Sequence, residues 1–403
     1  MTQRSMVLGV AFALFAWGLL LAPSAWAVPA FARAYGVRCS GCHTAWPMLN
    51  ATGRKFKENG YTFVRGEPKA MKNVGKLADL PVTFPLALVT KFRPYDKKRD
   101  GDTKLRALHE VELFIAGNAW NYGSFFTEFE MEDEDDFEFK LAHAVGGVHP
   151  HPLVNLVLGK TQVFHVDPHD TLTNARKLTR SSRQALTQGG SAGVKLSDDV
   201  QMVSLYGRET LTDKLFYSVT YSADTGDNEG EGPKDWTGRL VFDILPLDSL
   251  PDVNLSIGGF ITTGEQETTV GGVKRDLDFN RYGFDLQAQF KGLNFLGAYV
   301  KADDDIFAGG DEQNNLWYLE AFYTMDDKVL DSIGIPGAKI VPIVRVDRYE
   351  KSDGDDDFTD LTVNLSYYPW ENVRVYTEYF NPLDAPTGTA KPWRWTVQVE
   401  IGF

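Results

Sequence analysis

Cys39, Cys42 and His43 are the residues whose types and spacing do the clearest chemistry. The run Cys39-Ser40-Gly41-Cys42-His43 has the C-x-x-C-H spacing at which two thiols form thioether bonds to one c-type haem. The histidine after the second cysteine is then placed to coordinate the iron as its proximal ligand. The chain has only two cysteines and seven histidines. A zinc site needs further Cys or His ligands at metal spacing, which do not accompany the motif. One haem consumes both thiols, so no disulfide is available.

A six-coordinate iron needs a second axial ligand, and here the spacing leaves several choices. Met48 stands close to His43, but reaching the opposite haem face from there requires a sharp chain reversal. Met71 lies farther along and can loop back. His165 and His169 fall in the longest expected loop, about 163–191, of a kind that folds inward in barrel proteins. His109 and His143 share strand faces with Val111, Leu113, Phe139 and Leu141, which places them toward lipid near an interface. His149 and His151 are expected as ordinary turn residues.

A second constellation is acidic. Glu110, Glu112, Glu128, Glu130 and Glu138 fall on the polar faces of three consecutive expected strands. Neighbouring strands lie about 4.8 Å apart, so these carboxylates form a patch. Carboxylates suit hard divalent cations and can draw such an ion inward. The plain alternative is the ordinary charged lining of a polar lumen, with Lys140, Arg345 and Arg374 alongside.

These groups need elements to hold them. Arg4, the apolar run Val7 to Ala22 and the small-x-small site Ala25-Trp26-Ala27 predict a signal peptide over residues 1–27, with Val28 as the mature start. The apolar run is too short for a comfortable membrane span. Residues 28–80 form the segment that carries the motif. Thr44 to Leu49 and Thr52 to Glu58 are expected as short helices capped by Thr44 and Thr52, with Asn59-Gly60 as a stop. Trp46, Leu49, Phe56 and Tyr61 are candidates to cover a haem face. A segment this small hardly buries a haem alone, so it is expected to borrow walls from the rest of the chain.

That remainder, residues 81–403, alternates with a period of two. Trp393, Trp395, Val397, Val399, Ile401 and Phe403 share one face; Arg394, Thr396, Gln398 and Glu400 share the other. Tyr282 to Phe290 and Leu361 to Tyr367 repeat the pattern. A soluble sandwich needs few surface aromatics, whereas aromatics are 13% of this chain and cluster at strand ends, as in the girdles of membrane barrels. Segments of about ten residues match the length needed to cross the hydrocarbon layer at a tilt. The fold class expected is therefore all-β: a transmembrane antiparallel β-barrel of about 16 strands with a small helical N-terminal plug. Fourteen and eighteen strands are the neighbouring counts that the segment boundaries allow.

The expected strands are 82–93, 104–120, 122–132, 137–148, 152–162, 192–209, 214–222, 235–245, 252–264, 276–290, 292–302, 314–325, 338–350, 358–368, 371–380 and 393–403. An even count puts both barrel ends on the periplasmic side, with short turns there and longer acidic loops outside. The net charge is −14 and becomes −15 when the signal carries Arg4 away. Asp303-Asp304-Asp305 and Asp353 to Asp357 are the densest acidic runs, read as solvated loops or as a cation-attracting surface. Such a balance excludes nucleic acid as a partner class. No phosphate loop, catalytic triad or nicotinamide fingerprint stands in a convincing context.

The run from Ala27 through Val28-Pro29-Ala30-Phe31-Ala32-Arg33-Ala34-Tyr35-Gly36-Val37-Arg38 into Cys39–His43 resembles the signature of the fused monohaem cytochrome–porins, the outer-membrane iron-oxidising c-type cytochromes. The resemblance continues through Gly53 to Tyr61 and beyond that is architectural. It implies electron uptake from extracellular Fe(II), passage through one haem c, and delivery to a periplasmic c-type cytochrome, an Fe(II):cytochrome c oxidoreductase activity in the outer membrane. On it, Cys39 and Cys42 carry the haem and His43 ligates it. Two alternatives stand beside this reading: a solute-transport porin gated by a haem plug, and the same conduit run outward to an extracellular acceptor.

Overall fold

The computed structural model describes residues 30–68, 71–73, 79–81, 83–190, 192–224, 230–245, 253–325, 330, 332, 338–351, 357–385 and 391–403. The expected signal peptide and Val28 lie outside them. The chain opens with helix α1 (Ala30–Tyr35) and a 3-10 turn at Cys39–Gly41. Next come the small hairpin of β1 (His43–Ala45) and β2 (Met48–Leu49), helix α2 (Ala51–Glu58), and the pair β3 (Met71–Asn73) and β4 (Asp79–Pro81).

Sixteen antiparallel strands then close into a barrel. They are β5 (Leu86–Lys98), β6 (Thr103–Trp120), β7 (Gly123–Glu132), β8 (Lys140–His151), β9 (Val154–Gln162), β10 (Asp199–Arg208), β11 (Leu215–Ala223) and β12 (Lys234–Leu245). The second half is β13 (Val253–Val270), β14 (Val273–Phe290), β15 (Leu293–Asp305), β16 (Asp311–Tyr323), β17 (Lys339–Lys351), β18 (Phe358–Trp370), β19 (Val373–Asp384) and β20 (Arg394–Gly402). Each strand pairs with its sequence neighbours, and β20 closes the ring on β5. Closure leaves no unpaired edge, the condition for crossing a bilayer with strands.

The alternation read from the sequence is the alternation of the wall, inside out relative to a soluble protein. On β18, Val363 and Leu365 face outward, while Thr362, Asn364 and Ser366 are buried inside. On β14, Phe284, Leu286 and Phe290 are outside and Arg281, Asp285 and Gln287 inside. Trp236, Leu240, Phe295, Leu319, Val344 and Trp395 continue this exposed apolar belt. A band this continuous is solvated by lipid.

Two bulges explain where strand parity misleads. Glu128 pairs with His143 but Phe129 pairs with Leu141, so Ala142 is an extra residue on β8. One added residue moves every later side chain to the other face. His143 therefore points into the lumen, not toward lipid. Between Lys91↔Glu110 and Arg93↔Arg106, β6 carries more residues than β5, and His109 turns into a buried position against Asp133 at 2.8 Å.

Other expectations are corrected. Thr44 to Leu49 is a hairpin, because Pro47 interrupts the run, supplies no N–H and disfavours helix in the residue before it. The second helix is capped by Asn50, whose Oδ1 accepts from Gly53 N at 3.0 Å, and not by Thr52. The expected loop 264–275 is mostly strand, closed by the two-residue turn Gly271-Gly272 with φ of 60° and 81°. Asp304 is no solvated loop residue: it is buried beside Arg281, with Nη2 to Oδ2 at 3.0 Å. Asp353 to Asp356 lie outside the described residues, and Asp357 pairs with Arg348 at 3.0 Å.

The chain between β9 and β10, described over residues 163–190 and 192–198, folds into the lumen and carries the short helix α3 (Gln184–Thr187). Arg183 is fully buried, bonded to Glu320 at 3.0 Å with its guanidinium 5.0 Å above the Tyr318 ring. Arg180 reaches Asp96 at 2.7 Å, and Gln184 N donates to Asp347 at 2.9 Å. This inward loop thus spans from β5 to β16 and β17 across the pore. Phe164, Leu172, Leu178 and Leu186 pack with Phe216, Phe322 and Val341 of the wall and Met48 of the N-terminal segment into one apolar core.

Candidate functional site

The motif folds as one tight turn. Gly41 N donates to Arg38 O at 3.0 Å and Cys42 N to Cys39 O at 3.1 Å. Glu371, in the turn between β18 and β19, clamps it: Oε2 accepts from Cys39 N, and Oε1 from Ser40 Oγ, each at 2.8 Å. Arg38 joins the same carboxylate at 3.0 Å. Nothing local in the sequence signals this partner more than three hundred positions away.

Both cysteines are half-buried free thiols. Burial first, and then the charge of Glu371, push the Cys39 thiol up to about 11. Burial also raises Cys42. Neither is poised as a thiolate metal ligand, whereas both stand as thiols that thioether attachment requires. His43 Nδ1 donates to Pro47 O at 2.9 Å. A histidine that donates through one nitrogen has its tautomer set and presents the other, Nε2, as its metal-binding atom. Burial lowers the His43 pKa, which favours the neutral imidazole that ligation needs. The donor set fits a covalent c-type haem.

Close approach of backbone holds the turn against α2. Asn50 N donates to Cys42 O at 2.9 Å. A Cβ on Gly53 would lie 2.1 Å from that carbonyl oxygen, so only glycine lets the helix sit there. Gly60 has φ of +75° and faces the His149 ring, where a Cβ would come within 2.1 Å. Its carbonyl accepts from Asn118 Nδ2 at 2.7 Å. Phe31, Tyr35, Phe56, Tyr61 and Phe63 make a cluster with ring centroids 4.8–5.3 Å apart across Phe31–Tyr61, Phe31–Phe56, Tyr35–Phe56, Tyr35–Phe63 and Phe56–Phe63. Of the expected covering residues, Phe56 and Tyr61 are therefore committed to holding the segment together.

The segment sits inside the end of the barrel that carries the short turns. Arg208 of β10 binds Glu58 at 2.9 Å, and Tyr206 OH donates to Glu58 O at 3.0 Å. Arg65 donates to His149 O at 3.0 Å, Lys339 to Thr44 O at 2.7 Å, and Tyr368 OH to Trp46 O at 2.8 Å. From the pore side, Asp170 accepts from Leu49 N at 3.1 Å and Lys57 donates to Asp167 O at 2.9 Å. His149, expected as a turn residue, is instead buried between Ser124 and Tyr206 at 2.6 and 2.9 Å. His151 keeps its turn role, accepting from Leu153 N at 3.2 Å.

The three second-ligand candidates part company. His169 has both nitrogens engaged, Nδ1 with Asp167 at 2.9 Å and Nε2 with Asp243 at 3.2 Å. These carboxylates raise its pKa against the effect of burial. A protonated imidazole with both nitrogens donating leaves no lone pair for iron. His165 uses Nδ1 toward Thr161 at 3.1 Å, and burial drives its pKa well down, so it stays neutral. Met71 opens β3, and its side chain lies outside what is described.

His165 also belongs to a file of rings. Tyr61 lies 6.3 Å from Phe126, Phe126 5.8 Å from His165, and His165 6.5 Å from His143. His143 Nε2 is 3.7 Å from Glu128. Beyond it, ligand atoms of Glu110, Glu112 and Glu130 lie within 4.8 Å of one another. Lys91 is already inserted among them, 2.9 Å from Glu110 and 2.7 Å from Glu112. Glu138 is not in the patch: it is exposed, beside Lys140 at 3.9 Å. Lys140 likewise stands outside the lumen, paired with Asp135, while Arg345 and Arg374 are buried inside it as expected.

No family model matches the chain, and no curated protein sequence does. Solved structures do match. Salmonella typhi OmpF superposes with a TM-score of 0.55 at 12% identity, over 79% of this chain and 97% of that one. The anion-selective porin from Comamonas acidovorans gives 0.54 at 14%, over 79% and 98%. A loop-deleted OmpT of Vibrio cholerae gives 0.52 at 13%, over 79% and 99%. At such identities the likeness is one of fold. The closed sixteen-strand barrel with its lipid-facing belt is an outer-membrane barrel of porin architecture.

Proposed function

We propose that this chain is an outer-membrane electron conduit, taking electrons from extracellular Fe(II) and passing them to a periplasmic c-type cytochrome. Both ends of the barrel are assigned to the periplasmic side, so that the C-x-x-C-H turn faces the soluble carrier. The observation that carries the reading is the pairing of a preset His43, with Nδ1 bonded to Pro47 O, and two free thiols inside the mouth of a membrane barrel. Cys39 and Cys42 would hold one haem c and His43 Nε2 would bind its iron, supplying a one-electron Fe(III)/Fe(II) couple at the short-turn end.

The chain's own residues do the rest. Glu371, Glu58 and Arg65 fix the segment to the wall. The inward loop and its apolar core fill the pore behind it, which opposes bulk solute flow while shortening the insulating gap of about 30 Å that hydrocarbon imposes. The rings from Tyr61 to His143 link the segment to the carboxylates, which favour a cation on that side. Reversed, toward an external acceptor, the same path serves equally; a reduction potential set by the second ligand and nearby charge selects the direction.

A second reading, a solute-transport porin gated by a haem plug, is favoured by the barrel architecture shared with porins. Purified full-length protein in liposomes separates the two. Fast appearance of the reduced c-type spectrum on adding Fe(II), without solute swelling, supports the conduit. Solute passage with no reduction by Fe(II) overturns it in favour of the porin.

A further inference from the structure

Arg54, beside Gly53 on the second helix, is buried without the partners that a guanidinium requires. It is 2% exposed, yet its Nε and Nη1 reach no hydrogen-bond partner among the described residues. A guanidinium stays protonated, and an ion buried without a hydrogen-bonded counterion is strongly destabilising. Other buried arginines of this chain are served: Arg183 by Glu320, Arg208 by Glu58, Arg239 by Asp285 and Arg281 by Asp304.

The surrounding carboxylates do not fill the gap. Asp170, Asp243 and Asp167 attract Arg54 from a distance, but each is committed elsewhere. Asp170 accepts from Arg176 at 2.6 Å and from Leu49 N at 3.1 Å. Asp167 serves Arg239 and His169, each at 2.9 Å. Asp243 serves Arg208 at 2.5 Å and His169 at 3.2 Å.

Arg54 also shares its surroundings with the proximal histidine. His43 pairs across the small hairpin with Leu49, whose N–H is the one Asp170 holds, and Asp170 acts on His43 and Arg54 alike. Histidine and guanidinium thus border the same stretch of the inward loop. The thioether side lies elsewhere: Cys39 is clamped by Glu371 of the β18–β19 turn, far round the ring from Asp243 of β12. A haem c tethered through its vinyl edge carries its propionates on the opposite edge. A planar guanidinium matches such a carboxylate with two parallel bonds.

We propose that Arg54 binds a haem propionate and so fixes the edge of the macrocycle remote from Cys39 and Cys42. The inference rests on the haem attachment proposed above and adds to it a carboxylate-binding residue.

Redox-difference infrared spectroscopy on the full-length detergent-solubilised protein tests it. Feeding carboxyl-labelled δ-aminolaevulinate to the producing cells marks the propionate carboxyl carbons. A label-sensitive carboxylate band that moves in Arg54→Gln is expected, with a lower reduction potential, because a nearby positive charge favours the added electron. Arg54→Lys, which keeps the charge but not the fork, should restore most of the potential with the band still displaced. Lys55→Ala, which removes a partly exposed cation from the same helix, should change neither. Haem staining on denaturing gels and heat-modifiable migration establish that each variant keeps its haem and its barrel. If Arg54→Gln loses its haem, the band in Arg54→Lys decides. Bands and potential unchanged in haem-bearing Arg54→Gln overturn this inference alone and leave the conduit reading in place. A lower potential with unmoved bands overturns it equally, since Arg54 would then act only as a distant charge. Wild-type protein without covalent haem overturns both this inference and the conduit reading.

Discussion

Glu58, on the last turn of the second helix, and Arg208, on the lumen face of β10, are joined through Nε to both carboxylate oxygens at 2.9 and 3.1 Å, with both side chains buried. This bond ties the C-x-x-C-H segment to the barrel. Arg208 also reaches Asp243 at 2.5 Å, so segment, wall and inward loop share one charge network through His169.

Removing one member of a buried pair leaves an uncompensated charge, at about 3–5 kcal/mol. Because Asp243 remains beside Arg208, Glu58→Ala should cost about 3 kcal/mol of anchoring. Limited proteolysis should then cut within residues 30–68 while the barrel stays protected. Unchanged protection would show that the aromatic cluster alone suffices.

Gly53→Ala should displace the second helix from Cys42 O, since its Cβ has no room. The expected outcome is loss of covalently retained porphyrin on denaturing gels. Ala at the neighbouring Lys55, whose ammonium reaches exposed Asp213 at 3.0 Å, should leave retention unchanged.

His169 predicts a pH dependence of the inward loop. Its folded pKa is raised by Asp167 and Asp243. Its stabilisation is therefore complete below the unfolded value of about 6.5 and is lost as pH rises through the folded value. Amide exchange in residues 163–198 should quicken on the alkaline side. His169→Gln should remove that step and slow no other.

On the proposed haem attachment, absorption spectra would assign the second axial position. His43→Ala should abolish normal iron ligation. His169→Ala should leave axial-ligand bands unchanged while loosening the loop, since both its nitrogens serve carboxylates. Among Met71→Ala and His165→Ala, the variant that loses the low-spin band identifies the ligand, and no change in either removes both from consideration.

The motif, the barrel, its strand number and the facing of most side chains are legible in the chain alone, because haem attachment depends on a five-residue spacing and lipid burial on a period of two. Both are local properties that survive without knowing the fold. Partnerships distant in sequence do not: Glu371 reaches Cys39, and Asp243 reaches His169, only because closure brings β12 and the β18–β19 turn to the same lumen. Parity fails where one residue is inserted, as at Ala142, since the ladder's register is set by both strands and not by either. The inward loop decides the rest. Whether His169 is an iron ligand or a buried cation depends on the carboxylates waiting across the pore, and a sequence read strand by strand holds no record of that distance.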